Sequence, residues 1–330
     1  MAARLAGLLA ALGVLLLVVV LSIAVGAKPI PLGSVIHALF HGQGTVNGVV
    51  ILDLRLPRTL LGIGIGAALG LAGCLMQALT RNPLADPGLL GVNAGASVAV
   101  VLAIWLWRFS DLTDYIWFAF AGAGAASAGV YLLGSRGRSG ATPVRLALAG
   151  TAVTAVLTAV ISFVTLQNPD VFDQFRFWDV GSLSGVEESV LWQVLPFLGA
   201  GAVLALALSG PLNALALGDE TARALGSHTG RTRVLGAVAV TLLCGAATAA
   251  AGPIGFVGLT VPHMARVVTG ADHRWLLPYS MVLGPILLLG SDIVGRVVAR
   301  PGEVQVGIIT AFLGAPVFIA LVRRRRIPEL

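Results

Sequence analysis

The feature that most limits what this chain can fold into is a succession of apolar stretches, each about twenty residues long and nearly free of charge. They cover residues 5–25, 59–79, 89–106, 115–134, 143–166, 190–210, 234–251, 275–298 and 304–322. A helix needs about 20 predominantly apolar residues to cross the hydrocarbon of a bilayer, so these nine read as membrane spans. Between the seventh and eighth lies 252–270, GPIGFVGLTVPHMARVVTG, which is apolar but broken by Pro253 and Pro262 and reads as a short, irregular crossing. Composition points the same way: 57% of the 330 residues are hydrophobic and 11% are charged, against about 25% charged in a soluble domain. Such a chain could not cover a water-facing surface, which excludes a soluble enzyme, a disordered tail and a disulfide scaffold. The 42 glycines suit close contact between helix backbones. The expected fold is an all-α polytopic membrane protein of ten transmembrane helices, a single domain over 1–330 with no loop long enough to hide a soluble unit.

Ten crossings put both termini on one side. With that side taken as inside, 14 basic residues fall inside, Arg4, Arg81, Arg138, Arg233 and the tail Arg323 to Arg326 among them, and 7 fall outside, Lys28 included. Basic residues concentrate in cytoplasmic loops, so the N- and C-termini are expected in the cytoplasm. Nine crossings would send the Arg323–Arg326 tail outside. The first apolar run is about 21 residues, longer than the 7–15 of a secretory signal, and reads as a retained helix. The two longest external loops, 26–58 and 167–189, could each carry a short surface helix.

No GxxxxGK[ST] loop occurs, and the single lysine, Lys28, follows Ala27. The usual device for cradling ATP phosphates is therefore missing, and any ATPase must be another subunit. The spans are almost bare of ionisable groups. Asp292 stands one turn from Arg296, a spacing that suits an i,i+4 pair better than a proton relay. Cys74 and Cys244 lie inside apolar stretches, and His263 reads as a polar residue at the cytoplasmic boundary. Four Met and five His scattered over separate segments make no ligand cluster. No metal site and no catalytic residue are expected, and the cargo is expected to be a bulky chelate and not a naked cation. The net charge of +6 is set by loop position and does not indicate nucleic acid.

Three further features remain. The cytoplasmic loop 211–233 contains LGDETARALG (217–226), which reads as a short amphipathic helix: Asp219 and Glu220 in the first turn suit the helix dipole, Ala222 and Leu225 form an apolar edge, and Gly226 stops it. It is either an ordinary capped loop helix or a rigid peg for a cytoplasmic partner. Outside, Arg55 and Arg58 precede the second span, while Arg296 and Arg300 close the ninth crossing, 275–298; they either snorkel at the interface or form a basic patch for an acidic partner. Finally, 68–91 and 245–262 share a pattern of small-residue helix, proline break and Gly-Leu restart. Their offset of five crossings fits an inverted repeat; two independent loops in an Ala/Gly-rich chain would give the same pattern.

RLPRTLLGIGIGAALGLAGCLMQALTRNPLADPGLLGVNAGAS (55–97), LGDETARALG, GPIGFVGLTVPHMAR (252–266), GADHRWLLP (270–278), SDIVGRVV (291–298) and FLGAPVFIALVRR (312–324) follow one another in this order. Together they resemble the iron–siderophore and vitamin B12 permeases of type II ABC importers over essentially the whole chain; NPDVFDQFRFWDVGSL (168–183) is similar to the ferric-enterobactin members. The resemblance implies ten helices per subunit and two subunits around a central pathway, with a paralogous heterodimer expected over a homodimer. It implies two ATPase subunits or domains, carrying ATP and Mg that this chain does not bind. They would dock on a coupling helix matching Gly218, Asp219, Glu220, Thr221, Ala222, Arg223, Ala224, Leu225 and Gly226. It implies an extracytoplasmic substrate-binding protein docking on Arg55, Arg58 and Arg296, and a cytoplasmic gate near Thr142 and Pro143. The strongly basic tail Arg323–Arg326 departs from that pattern; it contacts membrane lipid either by binding anionic headgroups or, the favoured reading, as positive-inside anchoring. The expected function is import of a ferric siderophore, catecholate type, across the cytoplasmic membrane, with cobalamin or haem as alternative cargo and an ion-coupled carrier or a membrane scaffold as rivals of other classes.

Overall fold

A backbone in lipid has to satisfy its own hydrogen bonds, and this chain does so with helices. The computed structural model describes residues 1–26, 30–42, 44–109, 111–136 and 142–323; Lys28, Arg138 and Arg324 to Arg326 lie outside the described residues. In chain order the helices are α1 (Ala2–Ala24), α2 (Leu32–His41), α3 (Val46–Val49), α4 (Leu56–Thr80), α5 (Val92–Trp107), α6 (Leu112–Ser135), α7 (Pro143–Gln167) and α8 (Pro169–Asp179). There follow α9 (Glu188–Ala207), α10 (Ser209–Ala216), α11 (Asp219–Ala224), α12 (Thr229–Ala251), α13 (Val257–Thr269), α14 (His273–Val298) and α15 (Val306–Arg323). No strand occurs among the described residues.

Seven helical segments are long and apolar enough to span a membrane: α1, Val46–Thr80, α6, Val144–Gln167, α9, α12 and α14. The apolar helices Val92–Trp107 and Val306–Ala320 are shorter. The irregular stretch expected at 252–270 contains α13, whose 13 residues reach about 20 Å at 1.5 Å per residue, less than the roughly 30 Å of bilayer hydrocarbon. Both long loops carry the short helix expected of them, α2 and α8. The second span departs from expectation: α3 runs through a π-helical turn, Val50–Arg55, straight into α4, so one helical rod of 35 residues extends beyond 59–79. The span expected at 190–210 breaks at Leu208, where α9 gives way to α10.

The core is built around α4, which packs on α14, α12, α13 and α9. Glycine makes this possible. A Cβ at Gly66 would lie 2.6 Å from the Cα of Pro285 in α14, a backbone atom that cannot move alone. The Gly66→Leu variant is therefore expected to lose about 2–3 kcal/mol in thermal unfolding of the detergent-solubilised protein. The same change at Gly124, where nothing lies within 4 Å of an added Cβ, should leave the midpoint near wild type.

The two segments of similar pattern meet each other in the core. Gln77 Nε2 donates to the Leu259 carbonyl (3.2 Å), and His263 Nε2 bonds the Pro83 carbonyl at 2.8 Å. The helix flanking each break thus makes a polar contact with the other segment or the turn beside it, and His263 of α13 meets a carbonyl of the irregular stretch after α4.

Candidate functional site

Two polar clusters stand at opposite ends of α4. One surrounds Arg58 in its first turn; the other surrounds Arg81, its C-cap.

The last carbonyls of a helix have no intrahelical donor. At the end of α1 they are met by arginines from other elements. Arg55 Nη1 donates to the carbonyls of Ile23 (2.7 Å) and Ala24 (2.9 Å). Arg296 Nη1 donates to those of Ser22 (2.8 Å) and Val25 (3.2 Å), and Arg300 Nη2 to that of Gly26 (2.9 Å). These cations also face the negative end of the α1 dipole. Arg296 Nη2 bonds Ser22 Oγ and Asp292 Oδ2, both at 2.8 Å. Asp292, whose side chain is wholly buried, is gripped a second time by Arg58, through Nη2 at 2.7 Å and Nε at 3.1 Å. The remaining nitrogen of Arg58, Nη1, reaches Glu303 Oε2 at 2.7 Å. Arg55, Arg58 and Arg296 line one cavity of about 400 Å³, whose wall also carries Asp53, Glu187 and Glu303.

The structure brings the three arginines together but changes their character. As an exposed basic patch they would stand free. Arg55 and Arg296 are instead buried, at 7% and 2% exposure, capping α1, and Arg58 is neutralised by two carboxylates. The Asp292–Arg296 pair at i,i+4 is present; that Arg58 shares the same carboxylate could not be read from a partner 234 positions away.

At the other end, α10 and α11 form a folded stub. Positive φ at Gly218 and Gly226 turns the chain before and after α11. Asp219, in the first turn of α11, accepts from Arg233 Nη2 of α12 at 2.9 and 3.1 Å, and pairs with Arg81 Nη2. Ala222 is fully buried, while Leu217 and Leu225 are 62% and 65% exposed. The expected Ala222–Leu225 apolar edge is thus split, because α11 ends at Ala224 and Leu225 leaves the helix facing outward. Glu220, Thr221, Arg223 and Ala224 are exposed beside it. On the other side of the stub, Asn213 of α10 ties to the start of α14. Its Nδ2 donates to Asp272 Oδ1 (2.7 Å) and holds that carboxyl below its usual range. Its Oδ1 accepts from the His273 backbone N–H (2.8 Å) and lies 2.9 Å from His273 Nδ1, so that ring nitrogen carries the proton.

The FecCD transport family model matches residues 14–324. The chain belongs to that family. It is 53% identical to the ferric enterobactin transport system permease protein FepD of Escherichia coli (strain K12) over 317 residues, 95% of this chain and 94% of that protein. It is 43% identical to the Fe(3+)-citrate import system permease protein YfmD of Bacillus subtilis (strain 168) over 306 residues, 93% of this chain and 91% of the other. Among solved structures, an inward-facing metal-chelate type ABC transporter superimposes with a TM-score of 0.83 at 28% identity, covering 96% of this chain and 98% of that one. The chain is accordingly a permease subunit of an ABC importer, a membrane protein that works with an ATPase and a binding protein and is not itself an enzyme.

Within this family member Thr142 is the half-buried N-cap of α7, its side chain making no cap bond, and Pro143 opens the helix at its first position. Sequence reasoning counted Arg81 and Arg233 only as orientation signals and passed over Asn213. Their acidic partners, Asp219 and Asp272, were visible, but pairing them needed the bundle.

Proposed function

We propose that this permease imports a ferric siderophore of the catecholate type across the cytoplasmic membrane. The observation that carries the reading is the pairing of two polar faces at the two ends of α4, together with 53% identity to a protein named for ferric enterobactin transport. A binding protein loaded with the chelate docks at the arginine-lined cavity, where Arg55, Arg58 and Arg296 meet. The ATPase seats on α11, using the exposed Leu217, Glu220, Arg223 and Leu225. The whole chain, 1–330, acts as one transmembrane domain of ten crossings with cytoplasmic termini, paired with a paralogous second permease. The segment at Thr142 and Pro143 forms the cytoplasmic gate. The permease makes no covalent bond; it provides two access states whose small free-energy gap docking and ATP bias.

The test is ligand-stimulated ATPase of the purified importer across ferric catecholate, ferric citrate, haem and cobalamin, each presented on the binding protein. Stimulation by the catecholate is expected; stimulation by haem or cobalamin alone would overturn the cargo. Reversing Glu220 and Arg223 to Arg and Glu should reduce uptake about tenfold, within the range for coupling between sites, while binding-protein docking is unchanged. Coupled ATPase equal to wild type in that variant would refute the seat on α11.

A further inference from the structure

We propose that Glu303 is an internal competitor for the docking partner: its carboxylate holds Arg58 while the face is empty and is exchanged for a carboxylate of the binding protein when the two dock. This rests on the docking face proposed above and adds a residue and a step to it.

Charge at the cavity comes first. Its wall presents three guanidiniums, but also the carboxylates of Asp53, Glu187 and Glu303, with Asp292 directly behind. Counting formal charges, three positive against four negative leaves the face without the net attraction an acidic partner would need. One of the acids has to move out of the way.

Of these acids only Asp292 and Glu303 hold Arg58, and their environments single out Glu303. Asp292 has no exposed side-chain surface and bonds both Arg58 and Arg296. Removing it from that position would leave the buried Arg296 guanidinium without a counter-charge and Arg58 with Glu303 alone, which is costly. Glu303 is different. Its side chain is 30% exposed, it makes one ion pair among the described residues, and it sits on the non-helical turn between α14 and α15. Partly exposed pairs of this kind are weak. Arg58 is suited to the exchange as well. Asp292 occupies its Nε and Nη2 and fixes the plane of the guanidinium, which leaves Nη1 as the one nitrogen whose partner can change. A carboxylate arriving at Nη1 meets an oriented donor and replaces one ion pair by another. The number of ion pairs is then conserved, so a partner whose acid is misplaced loses the Glu303 bond and gains nothing. Glu303 acts in this way as a filter on docking, and Asp292 as the positioning residue for Arg58.

The experiment uses the assembled permease–ATPase complex in lipid nanodiscs, titrated with its cognate binding protein. Glu303→Gln is expected to tighten docking about three- to tenfold, since it removes both the competing bond and a like charge facing the incoming acid. Glu303→Asp keeps the charge and should dock no tighter than wild type. Arg58→Ala is expected to weaken docking at least about tenfold, the loss of one charge-assisted contact. Docking by Glu303→Gln that is equal to or weaker than wild type, while Arg58→Ala still loses it, overturns the competitor and leaves the docking face standing. Equal tightening by Glu303→Asp also overturns it, because charge would then not be the cause. Undiminished docking by Arg58→Ala refutes the docking face itself.

Discussion

Asp292→Asn is expected to destabilise the permease by about 3–5 kcal/mol, the cost of removing one partner from a buried ion pair. Few single changes in this chain should cost more. The substitution preserves shape and removes one charge, yet that charge serves two arginines at once. Arg296 is 2% exposed, and its Nη1 and Nη2 also hold Ser22 and Val25 at the end of α1. Arg58 loses the bidentate grip that orients it. Asparagine offers one oxygen and an NH2 group, so at least one guanidinium would face a donor instead of an acceptor. Thermal unfolding in nanodiscs reads the effect directly, with Glu303→Gln as comparison: there the pair is partly exposed and the expected loss is below about 1 kcal/mol. A midpoint for Asp292→Asn matching that of Glu303→Gln would mean that water in the cavity solvates both arginines, and the buried-pair argument would fail.

How much of this was legible in the sequence depends on the range of the interaction. Periodicity and apolar length are local, so most of the long helices were found within a few residues, while α2 and α8 were expected only as short helices somewhere in the loops 26–58 and 167–189. Asp292–Arg296 was found because four residues on one helix face each other by geometry alone. The extension of the second span back to Val46 was missed because Asp53, Arg55 and Arg58 make 50–58 look like a charged loop, and a π-turn leaves no compositional mark of its own. The bonds that the arginines make were illegible for a different reason. An arginine before a span has two outlets, the interface or a neighbouring helix end, and nothing in RLPR says that α1 finishes beside it with its carbonyls unmet. The short helix α11 was read from its first-turn acids, which serve a second purpose that only tertiary contact shows: Asp219 ties α11 to α4 and α12.

That tie leads to the other large effect, Asp219→Ala. Binding-protein-stimulated ATPase is expected to fall about tenfold or more, within the range of a coupling free energy between two sites, with basal ATPase and complex assembly close to wild type. The carboxylate is 28% exposed, and its partners Arg81 and Arg233 are 33% and 15% exposed, so its share of global stability is small. Its position matters more. Arg81 caps the end of α4, and Arg58 stands in the first turn of that same helix. Twenty-five helical residues span about 37 Å at 1.5 Å each, and α4 is closely packed along that length, its apolar window 78% buried. A displacement at the arginine face can therefore reach the peg through one rigid element, provided that Asp219 joins α11 to it. Cutting that joint leaves both faces intact and separates their responses. A double-mutant cycle with Arg81→Ala makes the test specific. If the joint transmits, the two changes together cost no more than either alone; additive losses, or undiminished stimulation in Asp219→Ala, would show that the signal takes another route.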